Sequence, residues 1–505
     1  MKLRYLHLMH RWLGIGLGLF VLLWFLSGLV MLFVGYPQLT QAERLSHLDS
    51  LKLQQVKLDV TQAWALTDKL GQPESVRLAM REHRPAYYFM QNGQWLAVWA
   101  DANKVTQGKS IQEKPIQISK AEAVKAAERF QSHAKAAGAL LIDHDQWSIS
   151  SSLNGHRPLY RVALNDVEAS ELYVSSHTGE VVLDTHRSER VWNWLGSVIH
   201  WVYFTPLRMD RELWRQIVLW LAFGGMALSS LGLWLGVQRI RFSRRYSSGR
   251  VTPYRGWARW HHIVGVSAGV FCMTWLLSGW LSLTPFGWLS ERSLSVKESE
   301  RWTGPKLTVQ DMKLPVFSSA ANMPVTDIPI AEIKEMEWVK FAGNTYILAK
   351  NEQQESLIDS QSGEPVASFS AAILQLQASK LGVYGSIDSA HWLTNGDLYF
   401  YQDAQKTPKV LRIAFTDTLN TTYYVDAHTT KILVSQDRYS RVYRWLFNGL
   451  HRMDIPPLSD RLLARRVTIF ILSAGGVLLT IAGIVLGWRR VRRVWPKSIA
   501  DDNRQ

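Results

Sequence analysis

The sequence contains very little cysteine, since Cys272 is the single example among 505 residues. One thiol forms no disulfide within the chain, and alone it cannot hold an iron–sulfur cluster or a cysteine-based zinc ion. Any domain outside a membrane must therefore be held together by its hydrophobic core.

Nucleotide-cofactor fingerprints are also missing. No Gly-x-Gly-x-x-Gly segment for a nicotinamide or flavin dinucleotide occurs. The sequence also offers no soluble domain on the cytoplasmic side that could carry such a cofactor. An electron donor, if the protein uses one, must therefore be an external molecule.

Acidic residues are absent from the two most basic stretches. The range 239–259 holds seven arginines, and 489–497 follows the last apolar run with five basic residues. Loops rich in arginine and lysine stay cytoplasmic, so both termini and the middle loop are predicted to be inside. Nucleic acid is not an expected partner, because these residues flank apolar runs without the interleaved aromatic residues of a binding surface.

Four uncharged apolar runs are long enough to cross a bilayer, which takes about 20 residues. They lie near residues 12–34, 216–237, 261–283 and 467–488. The first is longer than the h-region of a secretory signal, about 7–15 residues, and no small-x-small cleavage site follows it. We predict a multi-pass protein of the bacterial inner membrane, with an uncleaved first span and the lipid bilayer as a partner.

The membrane parts repeat with one offset of 251 residues, without gaps. In the first and third spans, the positions that align are His10, Gly14, Gly18, Phe20, Trp24, Leu26, Ser27 and Gly28 with His261, Gly265, Gly269, Phe271, Trp275, Leu277, Ser278 and Gly279. Before the second and fourth spans, they are Arg190, Val191, Trp194, Leu195, His200, Pro206 and Leu207 with Arg441, Val442, Trp445, Leu446, His451, Pro457 and Leu458. Within those two spans, they are Gly224, Gly225, Gly232 and Gly236 with Gly475, Gly476, Gly483 and Gly487. With two spans per unit, the repeats are parallel and related by an axis along the membrane normal. We predict a four-helix transmembrane bundle.

The segments between the spans show strands, turns and short helices. A Ser119 N-cap with glutamate three residues later predicts a helix over 119–131. Strands are predicted over 159–164 and 172–183, with counterparts over 410–415 and 422–434, and an earlier module includes 87–100 and 345–358. Each outer segment is therefore predicted to be a periplasmic α+β domain.

The predicted boundaries follow from these features. They are 1–36 for the first span, 37–189 for the first periplasmic domain, 190–238 for an interfacial helix plus the second span, 239–259 for the basic cytoplasmic loop, 260–284 for the third span, 285–440 for the second periplasmic domain, 441–489 for an interfacial helix plus the fourth span, and 490–505 for a cytoplasmic tail.

Four histidines are the main candidates for chemistry, because ionisable groups in or beside spans are costly and commonly functional. They are His10, His261, His200 and His451, and all four are paired by the repeat. His10 and His261 lie at the predicted cytoplasmic ends of spans, whereas His200 and His451 precede spans at the outer surface. The sequence therefore predicts one histidine pair at each face of the bundle.

Glycine rows follow the first pair at i+4 and i+8, and on a helix these positions share one face. The rows are Gly14 and Gly18 after His10, and Gly265 and Gly269 after His261. Such a bare wall suits either a flat macrocycle or close packing of spans through small residues. With a histidine heading both rows, a haem is favoured. A zinc site would need three or four clustered ligands, whereas two histidines per face suffice for a b-type haem.

Three motifs carry a resemblance to a known family. They are the sequence His-Arg-Trp-Leu-Gly at 10–14, the Leu-Ser-Gly late in the first and third spans, and the hairpin pattern Tyr-Val-x-x-His-Thr-Gly-Glu at 173–180. In this order, and with the duplication, the chain resembles the PepSY-associated transmembrane family over nearly its whole length. Some members are inner-membrane dihaem reductases of ferric siderophores, the ferrioxamine reductases among them. The second hairpin, 424–431, departs from the pattern because it lacks the Gly-Glu.

The resemblance implies haem-binding histidines, and His10, His200, His261 and His451 match by position. Two haem b groups are expected, although one remains an alternative. A two-fold axis would let His10 face His261 and His200 face His451. Pairing within one repeat is excluded, because about 30 Å of hydrocarbon separates the two faces. His7 or His262 remains an alternative ligand at the inner site.

Other repeated or nearby residues receive weaker assignments. His177 and His428 lie in hairpin turns, where a structural role is expected. Residues near the outer pair are candidate substrate contacts, although interfacial aromatics normally anchor a protein in the membrane. These candidates are Arg187, Arg190, Trp192, Trp194, Trp201 and Tyr203.

Three functions are compatible with these features. In the first, electrons from a quinol or a cytoplasmic reductase cross the membrane through the haems and reduce a ferric siderophore, or another ferric chelate, held between the outer domains. Iron(II) is then released, since siderophores bind iron(III) far better. The second is a non-redox, membrane-anchored PepSY binding or regulatory protein. The third is a metal-chelate permease, which is less favoured because no span is broken by proline in its middle.

Overall fold

The computed structural model describes residues 3–102, 115–315, 328–382, 385–394, 397–400 and 409–502, with the backbone alone for 494–502. The chain folds into two compact units. The span unit consists of Met1–Tyr36, Ser188–Glu291 and Tyr439–Gln505, and the sheet unit consists of Pro37–Arg187 and Arg292–Arg438.

Fourteen α-helices lie in the described residues. They are α1 (Leu3–Met31), α2 (Gln41–Ser46), α3 (Val60–Ala65), α4 (Lys120–Phe130), α5 (Arg187–Leu195), α6 (Ser197–His200), α7 (Thr205–Met209), α8 (Arg211–Val237), α9 (Gly256–Ser282), α10 (Val296–Thr303), α11 (Ala371–Ala378), α12 (Arg438–Arg444), α13 (Leu450–Arg452) and α14 (Leu462–Asp502).

Fifteen β-strands lie in the same part of the chain. They are β1 (Ser75–Arg81), β2 (Arg84–Gln91), β3 (Gln94–Trp99), β4 (Ala136–Ile142), β5 (Leu159–Leu164), β6 (Glu171–Ser175), β7 (Val181–Thr185), β8 (Glu335–Phe341), β9 (Asn344–Lys350), β10 (Glu355–Asp359), β11 (Pro365–Val366), β12 (Ile387–Trp392), β13 (Val410–Phe415), β14 (Thr422–Asp426) and β15 (Ile432–Gln436).

The span unit contains four helices that are long and apolar enough to cross a membrane, namely α1, α8, α9 and α14. Helix α1 packs against α8 and α14, and α9 packs against the same two helices. This arrangement is a four-helix bundle in which each helix has two neighbours. The four apolar runs in the sequence therefore correspond to four candidate membrane spans.

Seven antiparallel strands of the sheet unit form one continuous sheet in the order β11-β10-β9-β8-β1-β2-β3. The two outer segments, treated above as separate domains, meet in it through β1 and β8. There Arg77 lies opposite Glu337, and Leu78 lies opposite Met336. The joint exists because the apolar faces of β1 and β8 are buried in one core, with Val76, Leu78, Met336 and Trp338 all at most 2% exposed.

Two smaller antiparallel sheets complete the sheet unit, in the orders β4-β5-β6-β7 and β12-β13-β14-β15. Helix α4 packs on the first and α11 on the second. The capping box predicted at Ser119 is confirmed, because its side chain accepts from the backbone of Glu122 and the Glu122 carboxylate accepts in return. Ala123 and Ala127 are fully buried, so α4 packs closely against its sheet.

A buried ion-pair network lies at the junction of β1 and β8. Glu335, which is fully buried, lies 2.8 Å from Arg77, 2.9 Å from Arg44 and 3.2 Å from Lys350. Arg77 also binds both carboxylate oxygens of Glu180, the last residue of the hairpin motif 173–180. Burial alone would raise the pKa of Glu335, but the three cations outweigh it and hold that pKa well below its ordinary value.

The loss of the glutamate from the second hairpin has a local explanation. Lys431 stands where the first hairpin has Glu180, and its ammonium lies 2.5 Å from Glu355. The first hairpin thus presents an acid to a base, and the second presents a base to an acid. The charge is inverted at this position, and an ion pair is kept in both hairpins.

Candidate functional site

The span unit brings the four candidate histidines together as two pairs. The ring centroids of His10 and His261 are 6.1 Å apart, and those of His200 and His451 are also 6.1 Å apart. We call His10 and His261 the first pair and His200 and His451 the second pair. The first pair lies near the beginnings of α1 and α9. The second pair lies beside Ser27 and Ser278, near the ends of the same two helices.

Each ring of the first pair is held by the carbonyl of a neighbouring span. His10 Nδ1 is 3.1 Å from the carbonyl oxygen of Leu228 in α8, and His261 Nδ1 is 3.2 Å from that of Leu479 in α14. A helical carbonyl already accepts the amide four residues later, so a second donor needs room beside it. A glycine provides that room.

Glycine stands four residues after each of these carbonyls. A Cβ on Gly232 would lie 2.7 Å from His10 Cε1, and a Cβ on Gly483 would lie 3.1 Å from His261 Cε1. Contact at 2.7 Å is too close for carbon atoms, so Gly232 is required wherever the ring takes this position. Carbonyl and glycine together form a seat for the imidazole.

The second pair has the same seat. His200 Nδ1 is 3.2 Å from the carbonyl oxygen of Trp24, and a Cβ on Gly28, four residues later, would lie 3.3 Å from His200 Cε1. His451 bonds the backbone of Trp275, and a Cβ on Gly279 would lie 3.5 Å from its Cε1. His10, His200 and His261 thus use Nδ1 for a span carbonyl, and His451 Nδ1 lies 3.0 Å from Ser278 Oγ.

Two tryptophans fasten the segments that carry the second pair. Trp24 Nε1 donates to the carbonyl of His200 at 2.9 Å, and Trp275 Nε1 donates to the carbonyl of Leu450 at 2.9 Å. The acceptor shifts by one residue in the second case. In this repeat the helix before His451 contains a single π-helical turn, Trp445–Gly449.

The residues of the predicted glycine rows contact apolar side chains in this structure. A Cβ on Gly14 would lie 3.7 Å from Leu228, on Gly18 3.4 Å from Ile484, on Gly265 3.3 Å from Leu479, and on Gly269 3.0 Å from Leu233. These neighbours belong to adjacent spans. In this structure the rows lie against adjacent spans, and different glycines contact the histidine rings.

His262, an alternative ligand, has both ring nitrogens occupied elsewhere. Nδ1 is 2.8 Å from Thr252 Oγ1 and Nε2 is 2.9 Å from the carbonyl of Gly236. The buried ring thus joins the loop before α9 to the end of α8. This arrangement leaves no nitrogen of His262 for a metal.

The two repeated hairpin histidines lie in the sheet unit and bond backbone carbonyls. His177 Nε2 is 2.8 Å from the carbonyl of Arg157, and His428 Nδ1 is 2.7 Å from that of Ala367. Both contacts tie a hairpin turn to a neighbouring segment, as expected for structural histidines.

The candidate substrate contacts occupy different surroundings. Trp192 and Trp194 on α5 are 50% and 45% exposed, whereas Trp201 and Tyr203 pack on Tyr36 with ring centroids 5.8 and 6.3 Å away. Arg190 also lies on α5, and the backbone amide of Arg187 donates to the carbonyl of Glu168, both residues belonging to the sheet unit. Arg208, which no sequence pattern singled out, places its guanidinium over the rings of Tyr203 and Trp214.

The geometry of both pairs fits a metal ion held between two imidazoles. Two rings that bind one ion from opposite sides, at about 2.0–2.1 Å per bond, have centroids about 6 Å apart. With each Nδ1 hydrogen-bonded, Nε2 is the nitrogen left for the ion, which is the usual arrangement of a metal-bound histidine. Burial lowers the pKa of His200 to about 4 and that of His451 to about 3, so these rings are neutral at neutral pH.

No group of three or more metal-ligating side chains occurs within the described residues. A four-ligand zinc centre therefore has no candidate there, whereas a planar macrocycle that supplies the remaining ligands needs two histidines. The donor set of each pair fits a b-type haem.

Comparison with protein families agrees with the architecture. A family model described as the PepSY-associated TM region matches residues 7–490. The chain belongs to this family. The match covers all four spans and both segments of the sheet unit. No curated protein matches the chain.

The seat residues were visible in the sequence, but their role was not. Trp24, Ser27, Gly28, Gly232 and their counterparts are among the positions repeated at the 251-residue offset. The sequence signal that could have indicated this role is a repeated glycine four residues after another repeated residue, as in Trp24 and Gly28. The partner of each carbonyl, however, lies 176 or 218 residues away in the chain, so the contact itself emerges only from the fold.

Proposed function

We propose that this family member is an inner-membrane b-type haem protein that passes electrons across the membrane and reduces a periplasmic ferric siderophore. The observation that carries the proposal is the pair geometry: two histidine pairs, each with centroids 6.1 Å apart, and each ring hydrogen-bonded to the backbone of a span. The choice of a ferric siderophore as the substrate comes from the resemblance to dihaem siderophore reductases.

The proposal includes two parallel repeats, each with two spans and a periplasmic PepSY-like segment. Contacts that recur 251 residues apart support the repeat, since His10 bonds Leu228 and His261 bonds Leu479. The arginine-rich loop 239–259 supports cytoplasmic termini. In this orientation the first pair lies at the cytoplasmic face and the second pair at the periplasmic face.

The chain's own residues prepare both sites for ligation. The carbonyls of Leu228, Leu479, Trp24 and Trp275 hold the proton on Nδ1, which leaves the Nε2 lone pair for iron. The span glycines bring the rings close to the helices, and the surrounding apolar side chains exclude water. A bound haem would supply a one-electron couple at its iron, with a potential set by these ligands and their surroundings.

The net reaction transfers one electron from an external quinol or cytoplasmic reductase to iron(III) in the chelate. The product is iron(II), which siderophores bind far more weakly, so the metal is released. The chain needs no nucleotide site of its own for this reaction, in agreement with the absent dinucleotide fingerprint.

The visible absorption spectrum of protein purified from haem-replete cells tests the proposal. We expect a Soret band that shifts on reduction with dithionite and shifts back when a ferric hydroxamate chelate is added without oxygen. A colourless protein would refute the proposal. Chelate uptake into vesicles without any reductant would favour a permease, and a coloured protein that no ferric chelate reoxidises would refute the substrate assignment.

Replacing Gly232 by alanine should displace His10 and loosen the first site. The added Cβ would lie 2.7 Å from the ring carbon Cε1, and the backbone of α8 cannot retreat without losing its packing. We expect a lower haem content and an altered spectrum for one of the two haems. Haem per chain, measured by pyridine haemochrome, checks this.

The matched control is Gly224→Ala on the same helix. Its Cβ would lie 2.9 Å from Leu17 Cδ1, the mobile end of a side chain, and contacts no histidine. The helix-propensity change is the same in both variants. Equal haem loss in the two variants would show that the effect comes from helix packing and not from the imidazole seat.

A further inference from the structure

One hydroxyl distinguishes the seats of the two histidine pairs. In every seat a carbonyl at position i is followed by glycine at i+4. At the second pair, position i+3 is serine, Ser27 in one seat and Ser278 in the other. At the first pair the same position is Leu231 or Ala482. The seats of the second pair therefore have a side-chain hydroxyl at position i+3, and those of the first pair have an apolar side chain there.

Both serines contact the imidazoles of the second pair directly. Ser27 Oγ lies 3.2 Å from His200 Nδ1, and Ser278 Oγ lies 3.0 Å from His451 Nδ1. The serines are 1% and 0% exposed, so water does not compete for these contacts.

The proton of each serine hydroxyl is already committed. Ser27 Oγ donates to the carbonyl of Trp24 at 3.1 Å, and Ser278 Oγ donates to that of Trp275 at 3.0 Å. Each Oγ therefore meets the imidazole as an acceptor. The Nδ1–H of each second-pair ring is shared between a carbonyl and a hydroxyl oxygen, whereas a first-pair ring has the carbonyl of its seat.

Acceptors on Nδ1–H change the chemistry of the opposite nitrogen. They fix the tautomer and make Nε2 a more basic ligand. A more basic ligand stabilises the oxidised metal more than the reduced metal, so it lowers the reduction potential. Hydrogen bonding around the axial ligands is one of the means by which a protein sets a haem potential.

We propose that Ser27 and Ser278 are positioning residues that lower the reduction potential of the haem held by His200 and His451. The inference rests on the proposed function, because it concerns the iron that this pair would bind. Its consequence is that the site nearer the ferric chelate is a stronger reductant than the same pair without the two hydroxyls.

Redox titration of the purified full-length protein, followed in the visible spectrum, tests this inference. Ser27→Ala and Ser278→Ala should each raise one of the two midpoint potentials and leave the other unchanged. We expect each serine to change the equilibrium constant for reduction about tenfold, which is about 59 mV for a one-electron couple. Ser27→Thr keeps the hydroxyl and should restore the original potential.

Ser282→Ala is the matched control on α9. Its Oγ donates to the carbonyl of Gly279, three residues earlier, at 2.6 Å, just as Ser27 and Ser278 donate to carbonyls three residues earlier. Both potentials should stay unchanged in this variant. The reciprocal variant is Ala482→Ser, which places a hydroxyl at i+3 in a seat of the first pair. It should lower the potential of the other haem.

The outcomes separate the two proposals. A colourless wild-type protein would refute the proposed function itself. A coloured protein in which Ser27→Ala and Ser278→Ala move neither potential beyond the Ser282→Ala value would overturn this inference alone. If those variants lose haem, Ala482→Ser decides: a lowered potential supports the inference, and an unchanged one overturns it.

Discussion

Replacing His451 by alanine should abolish one haem signal and the reduction of ferric chelates, while the other haem signal persists. The second pair would then offer one ring nitrogen instead of two, so a haem held there under the proposed function would lose one of its two histidine ligands. Under the proposed function, electrons entering at the first pair would then no longer reach the periplasmic face. We expect a loss of chelate reduction larger than the about 10–100-fold typical of removing an outer-shell partner of a metal ligand.

The same experiment on His200 should give the same result, because the two rings form one site with centroids 6.1 Å apart. His10→Ala should instead remove the other signal and slow reduction by the external donor. Spectra at low temperature, together with chelate-reduction rates, distinguish the two sites.

His428→Ala is the matched control, since His428 is also repeated but lies in the sheet unit with Nδ1 on the carbonyl of Ala367. It should keep both haem signals. His262→Ala should also keep both, because that ring already bonds Thr252 and Gly236. Loss of a haem in His262→Ala without its loss in His10→Ala would contradict the assignment of the first pair.

Replacing Glu335 by glutamine should destabilise the sheet unit more than any surface change. The carboxylate is fully buried within 3.2 Å of Arg44, Arg77 and Lys350, and a neutral amide leaves these cations with too little negative charge. Breaking a buried ion pair by removing one partner costs about 3–5 kcal/mol. Hydrogen exchange of the β1 and β8 amides in the purified full-length chain measures the change.

The effect of this substitution should depend on pH. The pKa of Glu335 is lowered in the folded protein, so its contribution to stability is present above the unfolded pKa of about 4.3 and declines as the pH falls below that value. The wild-type and Glu335→Gln proteins should therefore differ most near neutral pH and converge in acid.

Glu352→Gln is the control for this prediction. Glu352 is 36% exposed and lies 3.8 Å from Lys334, and such an exposed pair contributes about 0–1 kcal/mol. An equally small effect for Glu335→Gln would show that Glu180 and Glu337 compensate the remaining cations, and that the β1–β8 joint depends on its apolar core alone.

The local elements were predictable because each depends on neighbouring residues. The capping box at Ser119 and the strands Leu159–Leu164 and Val410–Phe415 follow from spacing within a few residues. The seven-stranded sheet was not predictable, because β1 and β8 are about 260 residues apart and no local pattern specifies which edge strands pair. The glycine rows could be recognised in the sequence but their role could not, since the same bare helix face suits a cofactor or a neighbouring span.

The sequence by itself determined the four spans, because about 20 apolar residues cannot be left in water and need no partner to be recognised. It also selected His10, His200, His261 and His451 from the other histidines, because they repeat at the offset of 251 residues and lie in or beside a span. Only the tertiary structure decided which carbonyl and which glycine each imidazole contacts. A carbonyl and its glycine become a seat for an imidazole only when packing brings another helix within about 3 Å, and no spacing along a single helix encodes that approach.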